Sequence, residues 1–321
     1  MRELLLLRHA KSDWTSGVGD FERPLQKRGE LDAHRVGTWL FSKELMPDYI
    51  VCSPAKRALE TACFACNTMS IPCNNIATNK NLYEASPKQL LKIIKNFPIK
   101  AKRALLIGHN PEMEDLLLSL VGKPIVIPAD GKLLPTAALA WLKIPDSWPS
   151  LSPGQAKLIS ITRAKSLPRK FPYPSPNGEE LRKRPAYYYT QSAALPYRIK
   201  NGKLEILLIT STKKHKWIIP KGIVEPEMSP QRSAEKETLE EAGVYGKVSD
   251  NCIGSYRYEK WQAECVVDVY PFKVSRVCNE KNWPENHRKR DWFSVEQAVE
   301  KLQQPELVVM IKSLAEMLKA S

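Results

Sequence analysis

The chain has 321 residues, a formal net charge of +14 and 43% hydrophobic residues. That apolar share excludes a chain disordered throughout, and the length suggests two domains. The longest early apolar run, Leu4–Leu7, falls far short of the ~20 residues of a membrane span and is too short for a signal-peptide core, so a cytoplasmic protein without membrane contact is expected. The basic excess fits a solvated surface or a polyanionic ligand, and charge alone leaves both open. The seven cysteines show no disulfide framework. Cys63 and Cys66 form a lone C-x-x-C, which reads as two thiols packed one helical turn apart because a zinc site needs further ligands.

Leu4–Leu7 reads as a buried parallel strand, followed by a helical pattern from Lys27 to Ser42 and a short strand at Tyr49–Cys52. Ser53-Pro54 reads as a helix cap with proline in the first turn, the helix running on through Arg57, Thr61 and Cys66. A helix over Pro87–Lys95, a strand at Ala104–Ile107 and a helix carrying Leu116–Leu120 complete an alternation that predicts a parallel-centred α/β sheet. Proline and basic residues then crowd the segment 168–187, which reads as a linker between domains 1–167 and 188–321. Beyond it, alternating apolar residues at Ala193–Tyr197 and Leu204–Ile209 flank Asn201-Gly202 as a hairpin would. A helix is predicted from Ser229-Pro230 to near Gly243, a strand at Cys265–Val274, and two closing helices at Ser294–Leu302 and Pro305–Lys319.

Two histidines, His9 and His109, fall at predicted strand ends. Arg8 precedes the first, and Arg57 lies early in a helix that follows a strand. Ligands of open α/β sheets sit beyond the carboxyl ends of strands, so these four residues can converge. Two imidazoles and two guanidiniums suit a phosphoryl group: arginine grips its oxygens, and a neutral imidazole can carry it covalently. Leu7-Arg8-His9-Ala10-Lys11-Ser12 resembles the signature of the histidine phosphatase superfamily. Arg23-Pro24-Leu25 with Gly29, Ser53-Pro54-Ala55-Lys56-Arg57-Ala58 with Thr61, Leu82-Tyr83-Glu84-Ala85 and Gly108-His109-Asn110-Pro111 resemble its phosphohistidine phosphatase (SixA-type) branch. The resemblance implies a phosphoglycerate-mutase-like α/β sandwich, His9 as nucleophile, and Arg8, Arg57 and His109 as holders of the phosphoryl oxygens. It also matches Glu84 to a proton donor, with a plain surface carboxylate as the alternative. Arg23 would line the pocket mouth or pair with a surface acid, and no cofactor is expected here.

In the second domain Glu237, Glu240 and Glu241 stand at i, i+3 and i+4, one face of a helix. Carboxylates so crowded either form an exposed acidic face or share a hard divalent cation, Mg²⁺ or Mn²⁺. The run from Gly222 through Lys236-Glu237-Thr238-Leu239-Glu240-Glu241-Ala242-Gly243-Val244 resembles the Nudix box. Met228 and Lys236 depart from it, standing where a glutamate and an arginine are usual. Trp217-Ile218-Ile219-Pro220-Lys221-Gly222 and Trp283-Pro284-Glu285 resemble the branch of diphosphoinositol-polyphosphate and diadenosine-polyphosphate hydrolases. The resemblance implies an α/β/α sandwich with a mixed sheet. Gly222, Glu237, Glu240 and Glu241 would form a metal site in which Glu241 is also catalytic. From the basic clusters flanking the box, Lys213, Lys221 and Arg288 would contact substrate phosphates or else be solvated loop charges.

The whole therefore reads as a fused pair of phosphate hydrolases acting on phosphorylated small molecules. A phosphohistidine protein phosphatase with a nucleotide-sensing second half, and a non-enzymatic polyanion- or RNA-binding second half, are the alternatives. Nucleic acid is not expected as a partner, because no signature of stacking aromatics is present. The sequence is silent on the oligomeric state.

Overall fold

The computed structural model describes residues 1–176, 178–212 and 215–319. The chain divides into two compact units, the first Met1–Phe171 and the second from Pro172 onward. The first contains β1 (Arg2–Arg8), α1 (Lys27–Ser42), β2 (Tyr49–Cys52), α2 (Lys56–Thr68), β3 (Ala77–Thr78) and α3 (Pro87–Lys95). It continues with β4 (Arg103–Gly108), α4 (Glu112–Val121), β5 (Leu139–Ile144) and β6 (Lys157–Thr162). The sheet order is β3-β2-β4-β1-β5-β6, parallel through β1 and antiparallel beyond it.

Helices on both faces explain the unbroken leucine run of β1. Leu4 and Leu6 pack with Leu90, Ile94 and Leu117 of α3 and α4, while Leu5 and Leu7 pack with Val36, Leu40 and Ala62 of α1 and α2. A strand buried on both faces is apolar at every position. Gly37 lets α1 approach α2, since a Cβ there would stand 2.1 Å from the Ala65 carbonyl oxygen. The parallel order brings the ends of β1, β2 and β4 to one edge, where Arg8-His9, Ser53 and Gly108-His109 emerge.

The predicted cap at Ser53 is not used. Helix α2 begins at Lys56 behind Ala55, without a side-chain cap bond. The Ser53 hydroxyl lies 2.8 Å from His109 Nε2 instead.

The segment 168–187, expected as a linker, holds a two-stranded hairpin of β7 (Phe171–Ser175) and β8 (Gly178–Arg182). Pro172 and Pro174 are tolerated because each strand of an isolated pair leaves one side without ladder bonds. Arg182 stacks 3.3 Å over Tyr173 and 4.9 Å over Tyr189.

The second unit continues with β9 (Thr190–Lys200), β10 (Lys203–Thr210), β11 (Trp217–Ile218), β12 (Lys221–Ile223) and α5 (Pro230–Glu237). Then come β13 (Val244–Val248), β14 (Gly254–Lys260), β15 (Ala263–Val277), β16 (Arg290–Ser294), α6 (Val295–Lys301) and α7 (Pro305–Lys319). The sheet is mixed: β9 and β15 pair in parallel and the remaining pairs are antiparallel. The β9–β10 turn is the predicted one, with Asn201 (φ 50°) and Gly202 (φ 72°) both left-handed. Alternate residues of β10 face opposite ways. Ile206 and Leu208 pack with Met310 and Ile311 of α7, while Leu207 and Ile209 pack with Ala234 of α5. Helices thus cover both faces, giving an α/β/α sandwich. Among the described residues no helix is long and apolar enough to cross a membrane.

Candidate functional sites

The four phosphoryl-binding candidates of the first unit come together. His9, Arg57 and His109 are 9%, 6% and 7% exposed, and the two imidazole centroids are 5.1 Å apart. His9 Nδ1 lies 2.8 Å from the Ala10 carbonyl oxygen. A carbonyl only accepts, so Nδ1 carries the proton and Nε2 keeps its lone pair. Burial, with His109, Arg57 and Arg8 nearby, pulls His9 down to about 3 against the Ala10 bond. Burial and then Arg57 pull His109 down to about 4. Both rings are therefore neutral at physiological pH.

Arg8 donates from Nη1 to the Leu134 carbonyl at 2.8 Å, yet its Nε has no hydrogen-bond partner among the described residues. The same holds for Arg57 Nε, Arg23 Nε and His109 Nδ1. Buried polar nitrogens are seldom left unpaired in native proteins. Four such atoms belong to residues of this one pocket.

The sequence did not single out Asp20, the acid of this pocket. Its carboxylate pairs with Arg57 at 2.9 Å and Arg23 at 2.5 Å, and accepts from the Tyr83 hydroxyl at 2.8 Å. Its carbonyl accepts from Arg57 Nη1 at 2.6 Å. The only trace in the sequence is the i, i+3 spacing of Asp20 and Arg23, which is common on surfaces. Arg23 is buried rather than at a loose rim, with its guanidinium 3.5 Å over the Trp14 ring. Glu84 is exposed, on a left-handed residue (φ 54°), a costly conformation for a side chain of this kind. The ring that meets His109, at 5.4 Å, belongs to its neighbour Tyr83.

In the second unit the acids are not arranged as one face of a regular helix. Helix α5 ends at Glu237, and Thr238–Ala242 forms a π-helical turn closed by left-handed Gly243. Burial, then Glu241 and Glu240, push the Glu237 carboxyl up to about 7. A Cβ on Gly222 would stand 2.0 Å from that carboxyl, so glycine is what admits Glu237 here. Glu241 accepts the Lys221 backbone N–H at 2.9 Å and Arg288 Nη2 at 2.5 Å.

Among the described residues no group of three His, Cys, Asp or Glu side chains stands ready to hold a metal ion. Glu241 is paired with Arg288. The donor set still fits a hard cation, because the half-buried Glu237 carboxyl is crowded by Glu240 and Glu241.

Arg288, expected to reach substrate, is instead spent on protein acids. It donates to Glu241 and also from Nε to Glu285 at 2.5 Å, with 8% of its side chain exposed. A buried carboxylate demands such a partner. Lys221 is drawn below its usual range by burial, against the pull of Glu241, and its ammonium lies 5.1 Å from the Tyr258 ring. Lys213 lies outside the described residues. Lys236 pairs with Glu225 at 3.3 Å. Arg290, from the basic run after Glu285, caps the acidic turn by donating to the Ala242 and Gly243 carbonyls at 2.8 Å each.

A model of the histidine phosphatase superfamily (branch 1) matches residues 4–89, and a model of the NUDIX domain matches residues 190–314. An uncharacterized protein of Mycobacterium tuberculosis is 30% identical over 159 residues, covering 48% of this chain and 98% of that protein. Diphosphoinositol polyphosphate phosphohydrolase 3-beta of Bos taurus is 32% identical over 123 residues, covering 37% of this chain and 72% of that protein. Among solved structures, the protein histidine phosphatase SixA complexed with tungstate aligns at 16% identity with a TM-score of 0.44, over 51% of this chain and 97% of that one.

Proposed function

We propose that this chain, which belongs to the histidine phosphatase superfamily (branch 1) through its first unit and to the NUDIX family through its second, is a bifunctional phosphate hydrolase with two separate reaction sites. Both families are hydrolases. The first unit removes phosphate through a phosphohistidine at His9. The second splits a phosphoanhydride of a nucleotide or other polyphosphorylated metabolite with Mg²⁺ or Mn²⁺.

The observation that carries the first half is the meeting of the two neutral imidazoles, His9 and His109, 5.1 Å apart, with the Arg8 and Arg57 guanidiniums beside them. In this reading Arg8, Arg57 and His109 hold the phosphoryl oxygens and stabilise the charge that develops on them. The His9 Nε2 lone pair forms the bond to phosphorus as the ester oxygen leaves, and Glu84 supplies that oxygen with a proton. Water then attacks phosphorus, giving a proton back to Glu84, the N–P bond breaks, and neutral His9 returns with inorganic phosphate released.

In the second unit Glu237, Glu240, Glu241 and the Gly222 carbonyl are the residues that would hold the cation. The bound metal would neutralise diphosphate oxygens and ease deprotonation of water. Glu241 is the proton acceptor in this scheme, oriented by the Lys221 N–H. Lys221 and Lys213 are the cations assigned to substrate phosphates, while Arg288 balances Glu241 and Glu285. By the name of its bovine relative, a diphosphoinositol polyphosphate is one substrate to try.

A second reading, dephosphorylation of a phosphohistidine carried by a protein, is favoured by the loop that bears Asp20. Trp14, Val18 and Phe21 on that loop are 69%, 50% and 39% exposed, an apolar rim suited to a protein surface.

The test is a screen of the full chain with Mg²⁺ against monoesters, capped, dinucleoside, oxidised-nucleotide and inositol polyphosphates, and a phosphohistidine protein. His9→Ala should abolish monoester or phosphohistidine cleavage, by about a thousandfold or more, and spare anhydride cleavage. Glu241→Gln should do the reverse. Activity surviving both substitutions would reject these site assignments.

A further inference from the structure

We propose that the first unit carries an anion subsite beside its reaction site, built to seat a second phosphate group of the same substrate. The inference rests on the phosphatase reading and narrows its substrate class to molecules bearing at least two phosphates.

Arg8, one wall of the proposed reaction site, is also one wall of a cavity of about 450 Å³. The other cations of that cavity come from four separate segments: Lys11 after β1, Arg28 on α1, Lys132 in the loop before β5, and Lys165 after β6. Its one acid, Asp130, is already taken by Arg163 at 2.8 Å. Arg28 and Lys165 also line a second hollow of about 590 Å³, which adds Arg35 and Arg169. The acid there, Asp32, is held by Arg35 at 2.6 Å and Arg28 at 3.6 Å. A basic trench thus leads away from Arg8, and the carboxylates in its walls are engaged by arginines.

Arg28 is paired with Asp32, whereas Lys11, Lys132 and Lys165 are exposed at the cavity, so a phosphate entering it meets their ammonium groups directly. Arg8 is common to the reaction site and this cavity, so a molecule whose phosphoryl group is held by Arg8 lies next to the cavity. A second phosphate on that molecule would meet Lys11, Lys132 and Lys165. A neutral leaving group would gain nothing from them.

The experiment is calorimetric binding to the full chain in the presence of a chelator, using a hexose 6-phosphate and the matching hexose 1,6-bisphosphate. The wild type should bind the bisphosphate at least tenfold more tightly. The double variant Lys132→Glu/Lys165→Glu should erase that preference, while Lys88→Glu on α3 should keep it. Equal binding of the two sugars by the wild type, binding of neither, or equal weakening of both in the double variant would overturn the subsite. Hydrolysis of p-nitrophenyl phosphate by wild type and His9→Ala is recorded in parallel. Activity lost in His9→Ala with no bisphosphate preference rejects the subsite alone. Activity unaffected by His9→Ala rejects the phosphatase reading itself.

Discussion

In the first unit, guanidiniums and neutral imidazoles meet in one pocket, and one carboxylate, Asp20, pairs with two of the guanidiniums. In the second, carboxylates are gathered and one of them, Glu241, is tied to Lys221 and Arg288. Each site thus balances part of its own charge from within the chain, the first with an acid among cations and the second with cations among acids. The difference follows from what each group tolerates on burial. Arginine stays charged and histidine can become neutral, so in the basic pocket a single acid, Asp20, faces two of the guanidiniums while both rings shed their charge. Clustered carboxylates must be protonated, paired or bound to metal; here crowding and burial push Glu237 up to about 7, and Glu241 is paired with Arg288.

The largest effect should come from breaking the basic pocket. Arg57→Ala should lower kcat on p-nitrophenyl phosphate by about 10²–10³, the usual result of removing one charge-stabilising donor. Anhydride hydrolysis measured on the same sample should be unchanged; an equal fall in both would mean the chain had lost its fold. A smaller effect belongs to the other site. Gly222→Ala places a methyl group 2.0 Å from the Glu237 carboxyl, so Glu237 must leave. The expected cost is about 1–3 kcal/mol in stability of the second unit, as for overpacked positions. Loss of anhydride hydrolysis should accompany it, read by thermal denaturation and by product assay.

The smallest effect is in pH. Because His9 and His109 titrate near 3 and 4, monoesterase kcat/KM should stay level from pH 8 to about 5 and fall only toward 4. An acid limb centred near the ordinary histidine value of about 6.5 would show that the rings are not buried as described. Stability moves the same way. Both folded-state values lie below the unfolded one, so the unfolded chain binds more protons as pH falls from about 6.5. These two rings therefore destabilise the fold progressively down to about 3–4, and a denaturation series in pH would detect it.

Much of the framework was legible in the sequence because it rests on local pattern. The apolar run of β1, the Asn201-Gly202 turn and the helix starting at Pro87 each carry their own signal, and the structure adds a full capping box of Ser86 with Gln89 to the last. His9, Arg57 and His109 were legible because strand ends in a parallel sheet share an edge. Less legible were features decided by contacts across the chain. Ser53 has the residue type of a helix cap, and only its distance to His109 shows its other use. Arg288 looked like one of several loop cations until folding set it against Glu241. The π-helical turn was invisible, since Thr238-Leu239-Glu240-Glu241-Ala242 continues a helical pattern without a break.

Asp20 gives the first unit a doorstop. By setting its own carboxylate on Arg57 and Arg23, it discharges much of the field that would otherwise draw in every passing chloride or sulfate. A visitor has to outbid this resident for the guanidiniums. A doubly charged phosphoryl group has more to offer them than a halide does. With 47% of its side chain exposed, the resident meets water on its outer side while it faces the guanidiniums on the other.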